Sequence, residues 1–316
     1  MLVPNEFGRD LRVAVILPCY NESVAIGQTV ADFRAALPGA SIHVFDNNSS
    51  DDSVAVATSA GASVWPVRQQ GKGHVVRRMF ADIDADIYVM ADGDATYEAA
   101  AAPAMIGTMI ADNLDMVVGA RRSEMEAAYR RGHRLGNQML TGLLRQLFGR
   151  SFTDILSGYR VFSRRFVKSF PVLSAGFEIE TEISVHALEL RMPVGEVVTA
   201  YAARPEGSQS KLSTYRDGWR ILNMMLKLYR LERPLWFFGA IGALCVLLGL
   251  ILGFPVVETY LRTGLVPRFP TFIATVGLGI LGALNVMCGL ILDTVTRGRQ
   301  EMKRLAYLAH PAPRRG

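Results

Sequence analysis

The sequence predicts an α/β chain in which a parallel sheet wrapped by helices is followed by two membrane-spanning helices. Three observations carry this. Apolar runs alternate with helical patterns over the first two hundred residues, three of those runs end in acidic turns, and two long uncharged stretches lie in the last third.

RVAVILP (12–18) reads as a fully buried strand. Residues 24–37 have helical period and stop at Pro38-Gly39. SIHVFD (41–46) is a second strand, and the turn NNSSDD after it can cap a helix from Ser53. Strands at 63–67, 86–91 and 114–120 continue the series, with helices near 73–84 and 98–112. After Gly119 the pattern is less regular. A basic stretch leads into a helix around 136–149; SGYRVF (157–162) reads as a strand, 177–190 as a helix and 194–201 as a strand. Residues 211–233 are amphipathic, with Leu212, Trp219, Ile221, Leu222, Met225, Leu228 and Leu231 set among charged residues, and suit a membrane interface.

Residues 235–257 and 269–292 carry no charge, and about 20 apolar residues cross a bilayer. Lys227, Arg230 and Arg233 precede the first run, and Arg297, Arg299, Lys303 and Arg304 follow the second. The connecting loop has Arg262 and Arg268 against Glu258. Positive charge favours the cytoplasmic side, so both termini and the first domain are expected there, in a multi-pass protein of the cell membrane. The first residues lack the apolar stretch of a signal peptide. The expected division is 1–210 for the α/β domain, 211–233 for the interfacial region, 234–294 for the spans and 295–316 for a basic tail.

Half of the 316 residues are hydrophobic and the net charge is +5. Residues flanking a membrane explain that modest excess better than a nucleic-acid partner, so none is expected. The three cysteines have no metal or disulfide spacing. Gly277, Gly279 and Gly282 spell G-x-G-x-x-G, but inside the second span, where small residues serve helix packing. Gly249 and Gly253 fit the same purpose.

The first strand ends in Pro18-Cys19-Tyr20-Asn21-Glu22, the second in Asp46-Asn47-Asn48-Ser49-Ser50-Asp51, the fourth in Asp92-Gly93-Asp94. In a parallel sheet all three fall at one edge, where ligands bind. Strand-end carboxylates can accept hydrogen bonds from a ribose or base, and a tyrosine can stack on the base. Two carboxylates around a glycine can hold Mg²⁺ or Mn²⁺, completed by substrate phosphates. That chemistry suits a nucleotide-sugar donor.

PCYNE, DNNSSD, the DGD, GKG (71–73), VGAR (118–121), SGYRVFSRR (157–165) and RPEGSQSK (204–211) together resemble family 2 glycosyltransferases, over residues 12 to about 233. The likeness is strongest to the branch that transfers sugars to polyprenyl phosphates such as dolichol or undecaprenyl phosphate. The resemblance implies a GT-A-type, Rossmann-like domain and an inverting, metal-dependent hexosyltransferase. It would move one hexose from GDP-mannose or a UDP-hexose to a polyprenyl-phosphate lipid. By that resemblance Pro18, Tyr20, Glu22, Asp46, Asp92 and Gly93 contact the nucleotide. Asp92 and Asp94 hold the metal, with Asp94 also counted as catalytic. Arg121, Arg134, Arg204 and Lys211 bind phosphates, and Asp154 lies near the reacting centre, with Glu178, Glu180 and Glu182 competing for its role. The resemblance leaves the homo-oligomeric state open, a tetramer among its options.

The chain departs from the family pattern in three places. Thr96 stands where a glutamine is common, one residue is added between Arg204 and Lys211, and the second acidic turn is D-N-N-S rather than D-D-G-S. The competing readings are a processive polysaccharide synthase and a non-catalytic nucleotide-binding membrane scaffold. Against the first stands the lack of Q-x-x-R-W before the spans.

Overall fold

The structure is a computed structural model that describes residues 11–122, 139, 141–147, 149, 152–176, 178–202, 223 and 226–312. Two compact units are present. The first takes in residues up to Ile221 together with Met302–Gly316, and the second runs from Leu222 to Glu301.

The first unit is built on a seven-stranded sheet. Its strands are β1 (Val13–Cys19), β2 (Ser41–Asp46), β3 (Ser63–Pro66), β4 (Ile87–Met90), β5 (Met116–Arg122), β6 (Arg160–Ser163) and β7 (Val194–Ala200). Helices α1 (Ile26–Ala36), α2 (Ser53–Ser59), α3 (Lys72–Asp82), α4 (Ala102–Ala111), α5 (Arg164–Ser169) and α6 (Ile179–Glu189) accompany them. The order across the sheet is β3-β2-β1-β4-β6-β5-β7.

Strands β1 to β4 pair in parallel, as their near-continuous apolar runs predict. The expectation of a wholly parallel sheet is corrected beyond β4. There β6 inserts between β4 and β5 and runs antiparallel to both, with Met90 opposite Arg160 and Val118 opposite Arg160. The four residues of β6 are all buried, so the strand needs a neighbour on each side. The helix expected near 98–112 is instead a 3₁₀ turn at Ala99–Ala101 leading into α4.

Packing follows the side-chain periods. Helix α1 buries Ile26, Thr29, Val30 and Phe33, one face at i, i+3, i+4 and i+7. That face meets Val15, Leu17, Val44 and Val89 of the sheet, together with Met105 and Met109 of α4. Each such large apolar side chain contributes about 1.5–3 kcal/mol by leaving water.

Two contacts hold residues of the basic C-terminal segment. Within the first unit, Lys303 Nζ lies 2.6 Å from the Glu189 carboxylate, whose side chain is buried, and Tyr307 donates to the buried Asp115 at 2.8 Å.

The second unit contains α7 (Pro234–Thr263), and α8 (Phe269–Leu308) runs from it to the chain's C-terminal segment. Both helices are long and apolar enough to cross a membrane, with mean hydropathy 2.6 and 2.0 over their most apolar windows. Leu250, Phe254 and Leu261 are each exposed by two thirds or more. Exposed apolar side chains along helices of this length suggest association with a membrane. Of the three glycines in G-x-G-x-x-G, Gly282 is tightly packed, where an added Cβ would come 3.0 Å from the Gly242 carbonyl, whereas a Cβ added at Gly277 or Gly279 would meet nothing within 4 Å. Gly249 and Gly253 face Thr275, as close packing predicts.

Candidate active site

The parallel half of the sheet places the carboxyl ends of β1, β2 and β4 side by side. The three acidic turns therefore do share one edge. Their loops are stitched together. Asn21 Oδ1 accepts from the Ser50 amide at 2.8 Å, the Asn21 amide donates to Ser49 Oγ at 2.9 Å, and the Glu22 amide donates to Ser53 Oγ at 2.8 Å. Asn21, Asn48 and Ala95 take left-handed backbone conformations, with φ of 52°, 62° and 56°. Asparagine tolerates that region, whereas for Ala95 it costs about 1 kcal/mol. Strain beside the D-G-D turn is thus held by the surrounding contacts.

Asp46 is buried. Its Oδ2 accepts from the Ser49 amide at 3.2 Å, and its Oδ1 has no partner in the structure. A buried acceptor without a donor is costly, so this atom fits a donor brought by a ligand. Tyr20, just after the end of β1, is 36 % exposed. Pro18 approaches the D-G-D turn closely, since a Cβ on Gly93 would lie 3.1 Å from its carbonyl oxygen.

Asp94 is 4 % exposed and its Oδ1 accepts from Thr96 Oγ1 at 2.6 Å and from the Thr96 amide at 3.3 Å. Thr96 therefore serves the turn by fixing Asp94. Asp92 is held differently. Its Oδ1 accepts from Lys72 Nζ at 2.5 Å, and a Cβ on Gly158 would come 2.7 Å from its Oδ2. Lys72 Nζ also reaches Glu180 Oε1 at 2.6 Å. Burial alone lowers an ammonium's pKa, but the charges of Asp92 and Glu180 outweigh it, so Lys72 is raised and stays cationic.

Lys72 is positioned by its glycine neighbours. Gly71 has φ 130°, and a Cβ on Gly71 or Gly73 would lie 2.2 Å from the Ala175 oxygen or 2.1 Å from the Ser174 oxygen. Glu182 holds that same loop, accepting from the Leu173 and Ser174 amides, both at 2.8 Å. Gly73→Ala should therefore destabilise the protein by about 1–3 kcal/mol through a clash with backbone that cannot yield. Gly277→Ala, in open space, is the matched control, and denaturant melts of the detergent-solubilised chain compare them.

A second group lies at β5. Arg121 Nε and Nη2 contact Asp154 at 2.6 and 2.8 Å, a bidentate pair, and the guanidinium sits 5.4 Å above the Tyr201 ring. Tyr201 bridges Tyr97, whose hydroxyl accepts from the Gly158 amide at 2.9 Å. Burial and the Asp92 charge both raise the Tyr97 phenol. Arg134, Arg204 and Lys211 lie outside the described residues, as does His133.

Sequence reasoning missed Lys72 as a partner of Asp92, and Tyr97 and Tyr201 altogether. Of Glu178, Glu180 and Glu182, Glu180 is the one linked to the D-G-D turn, through Lys72. The signal was present: Glu180, Ser184 and Ala187 follow the i, i+4, i+7 spacing of a buried face.

An ion held by Asp92 and Asp94 would take oxygen ligands only. No group of three or more His, Cys, Asp or Glu forms a cage among the described residues. Two carboxylates fit a hard divalent ion that keeps waters and substrate phosphates, as Mg²⁺ and Mn²⁺ do.

A mixed α/β sheet with ligand-ready turns at one edge, carried with two apolar helices, defines a class that the comparisons identify. Residues 14–170 match the model of glycosyl transferase family 2. Glycosyltransferase AglJ of Haloferax volcanii is 32 % identical over 299 residues, covering 94 % of this chain and 98 % of its own. The chain belongs to glycosyl transferase family 2.

A dolichyl-phosphate hexose transferase of the same organism is 26 % identical over 221 residues, 70 % of this chain and 95 % of its own. An uncharacterized Shigella flexneri protein is 57 % identical over 155 residues, 49 % of this chain and 95 % of its own. Among solved structures, Mycobacterium tuberculosis glucosyl-3-phosphoglycerate synthase in complex with Mn²⁺, UDP and glucosyl-3-phosphoglycerate matches with TM-score 0.56. It is 23 % identical and the match covers 69 % of this chain and 79 % of that one, a likeness of fold.

Proposed function

We propose that this glycosyltransferase moves one hexose from a nucleotide sugar to a polyprenyl phosphate at the membrane surface, with inversion at the anomeric carbon. The observation that carries the reading is the joining, in one chain, of the D-G-D edge to two long helices with lipid-compatible faces. The relative whose name gives dolichyl phosphate as acceptor supports it. So does the Mn²⁺ and UDP complex of the structural neighbour, for the donor.

Asp46, with its unpartnered buried oxygen, and Glu22 bind the nucleoside, over which Tyr20 stacks; Pro18 and Gly93 shape the floor. Asp92 and Asp94 hold Mg²⁺ or Mn²⁺, which would neutralise charge on the departing diphosphate. Arg121, held by Asp154 and Tyr201, contributes positive charge toward a phosphate; Arg134, Arg204 and Lys211 supply further cations. A phosphate oxygen of the lipid forms the new bond to the anomeric carbon as the bond to the nucleoside diphosphate breaks. That oxygen is already anionic, so no proton has to leave it and no strong base is required. Asp154 then works at the reacting centre by orienting Arg121, and positioning does most of the rest.

On this reading residues 1–210 form the transferase domain, 211–233 lie at the interface and 234–294 span the bilayer. The basic flanks put the domain and both termini on the cytoplasmic side.

The test is a donor panel. The full chain in detergent is mixed with undecaprenyl or dolichyl phosphate, UDP- or GDP-hexoses and Mg²⁺ or Mn²⁺, and the lipid is weighed by mass spectrometry. A mass gain of one hexose with release of a nucleoside diphosphate is expected. No gain across the panel would overturn the assignment.

A further inference from the structure

Asp92 stands at the D-G-D edge, yet one of its two oxygens is already occupied. Lys72 Nζ sits 2.5 Å from Oδ1, and its other contact, 2.6 Å away, is Glu180 on α6. The three side chains are buried to different degrees: Lys72 is 10 % exposed, Glu180 7 % and Asp92 30 %. The most exposed member is thus the aspartate, whose Oδ2, not engaged by Lys72, lies against Gly158. The second oxygen of Glu180 is buried with no partner, so Glu180 is committed to Lys72 alone. The backbone around Lys72 is fixed by glycines that admit no side chain against the 174–175 loop.

Resting on the metal assignment above, we propose that Lys72 and Glu180 are positioning residues for Asp92. The ammonium engages Oδ1 and leaves Oδ2 as the single oxygen offered to a divalent ion and its diphosphate. It also sets the charge of the site. Asp92, Asp94 and Glu180 carry three negative charges and Lys72 one positive, so the edge presents the charge that one divalent ion balances. A fully uncompensated edge would hold the ion more tightly, but with Asp92 free to rotate and to bind it through both oxygens. Lys72 therefore trades affinity for geometry.

This gives opposite signs in two measurements. Binding of Mn²⁺ alone to the detergent-solubilised chain is followed by electron paramagnetic resonance of the free ion. Lys72→Met should tighten binding by about tenfold through the lost positive charge. The same variant should lower turnover by about tenfold or more through loss of alignment. Glu180→Gln should weaken Mn²⁺ binding, since one negative charge goes. The double variant Lys72→Met with Glu180→Gln keeps the net charge, and it decides the matter if the single lysine variant fails to fold. It should bind Mn²⁺ within about twofold of the parent and still turn over slowly.

A merely structural lysine would weaken binding and turnover together. Equal or weaker Mn²⁺ binding by Lys72→Met, or full turnover by the double variant, overturns the assignment of Lys72. If the parent chain shows no Mn²⁺ binding that Asp94→Asn removes, the metal reading itself falls, and this inference falls with it.

Discussion

Asp94→Asn is expected to lower sugar transfer by roughly 10²–10³-fold while leaving the melt of the protein nearly unchanged. The two effects separate because of how Asp94 is held. Its Oδ1 accepts from both the hydroxyl and the amide of Thr96, and the amide oxygen of asparagine can accept the same two bonds. The turn therefore keeps its shape. What is lost is a full negative charge at the oxygen edge where a divalent ion and a diphosphate would meet, and charge at such a site is worth far more than in water. Thr96→Val is the graded companion. It keeps the carboxylate but removes the 2.6 Å hydroxyl bond that orients it, so a loss of about tenfold is expected. Measured on the same lipid product, a Thr96→Val loss equal to that of Asp94→Asn would mean that orientation, not charge, dominates the site. A collapse of the melt in Asp94→Asn would mean that the carboxylate is structural.

The edge that carries Asp94 was legible because it is local. Each of β1, β2 and β4 is an apolar run followed within three residues by a carboxylate-bearing turn, and parallel pairing then brings those turns together. The two long helices were legible for a similar reason: twenty uncharged residues in a row have few other uses. What stayed hidden depends on distant partners. Lys72 finds its carboxylates 20 and 108 residues along the chain, and no local pattern announces either. A lysine between glycines reads as an exposed turn until Ala175 and Ser174 are seen packed on those glycines. Strand β6 was found as an element but not as an antiparallel insertion, because direction is set by pairing and not by the run itself. Arg160, the first residue of that strand, obscured it further. An arginine there suggests an edge or a surface, yet the residue is fully buried.

Arg160 also carries the largest expected effect on stability. Its side chain is 0 % exposed and makes four hydrogen bonds to oxygens: to the Ser157 carbonyl at 2.9 Å, Ser184 Oγ at 2.9 Å, the Ile155 carbonyl at 2.5 Å and the Glu180 carbonyl at 3.2 Å. Burial pulls its pKa down to about 10, with the charges of Glu180 and Asp154 resisting, so it remains a cation at neutral pH. Those bonds offset the cost of burying the charge. Arg160→Met fills much of the space but supplies no donors, taking from the Ile155 and Ser157 carbonyls the bonds that Arg160 gives them, while the Glu180 carbonyl keeps Ser184 Oγ. A loss of about 3–5 kcal/mol is expected, read as a lower denaturant midpoint of the full chain. Arg160→Lys keeps the charge but cannot span the same fork of acceptors, so it should fall between the two. The damage would reach the site, because the loop that Arg160 holds lies between Asp154 and Gly158, the neighbours of Arg121 and Asp92. At temperatures where Arg160→Lys is still folded, its turnover should drop more than its folded fraction does. Turnover that only tracks the folded fraction would confine Arg160 to the core.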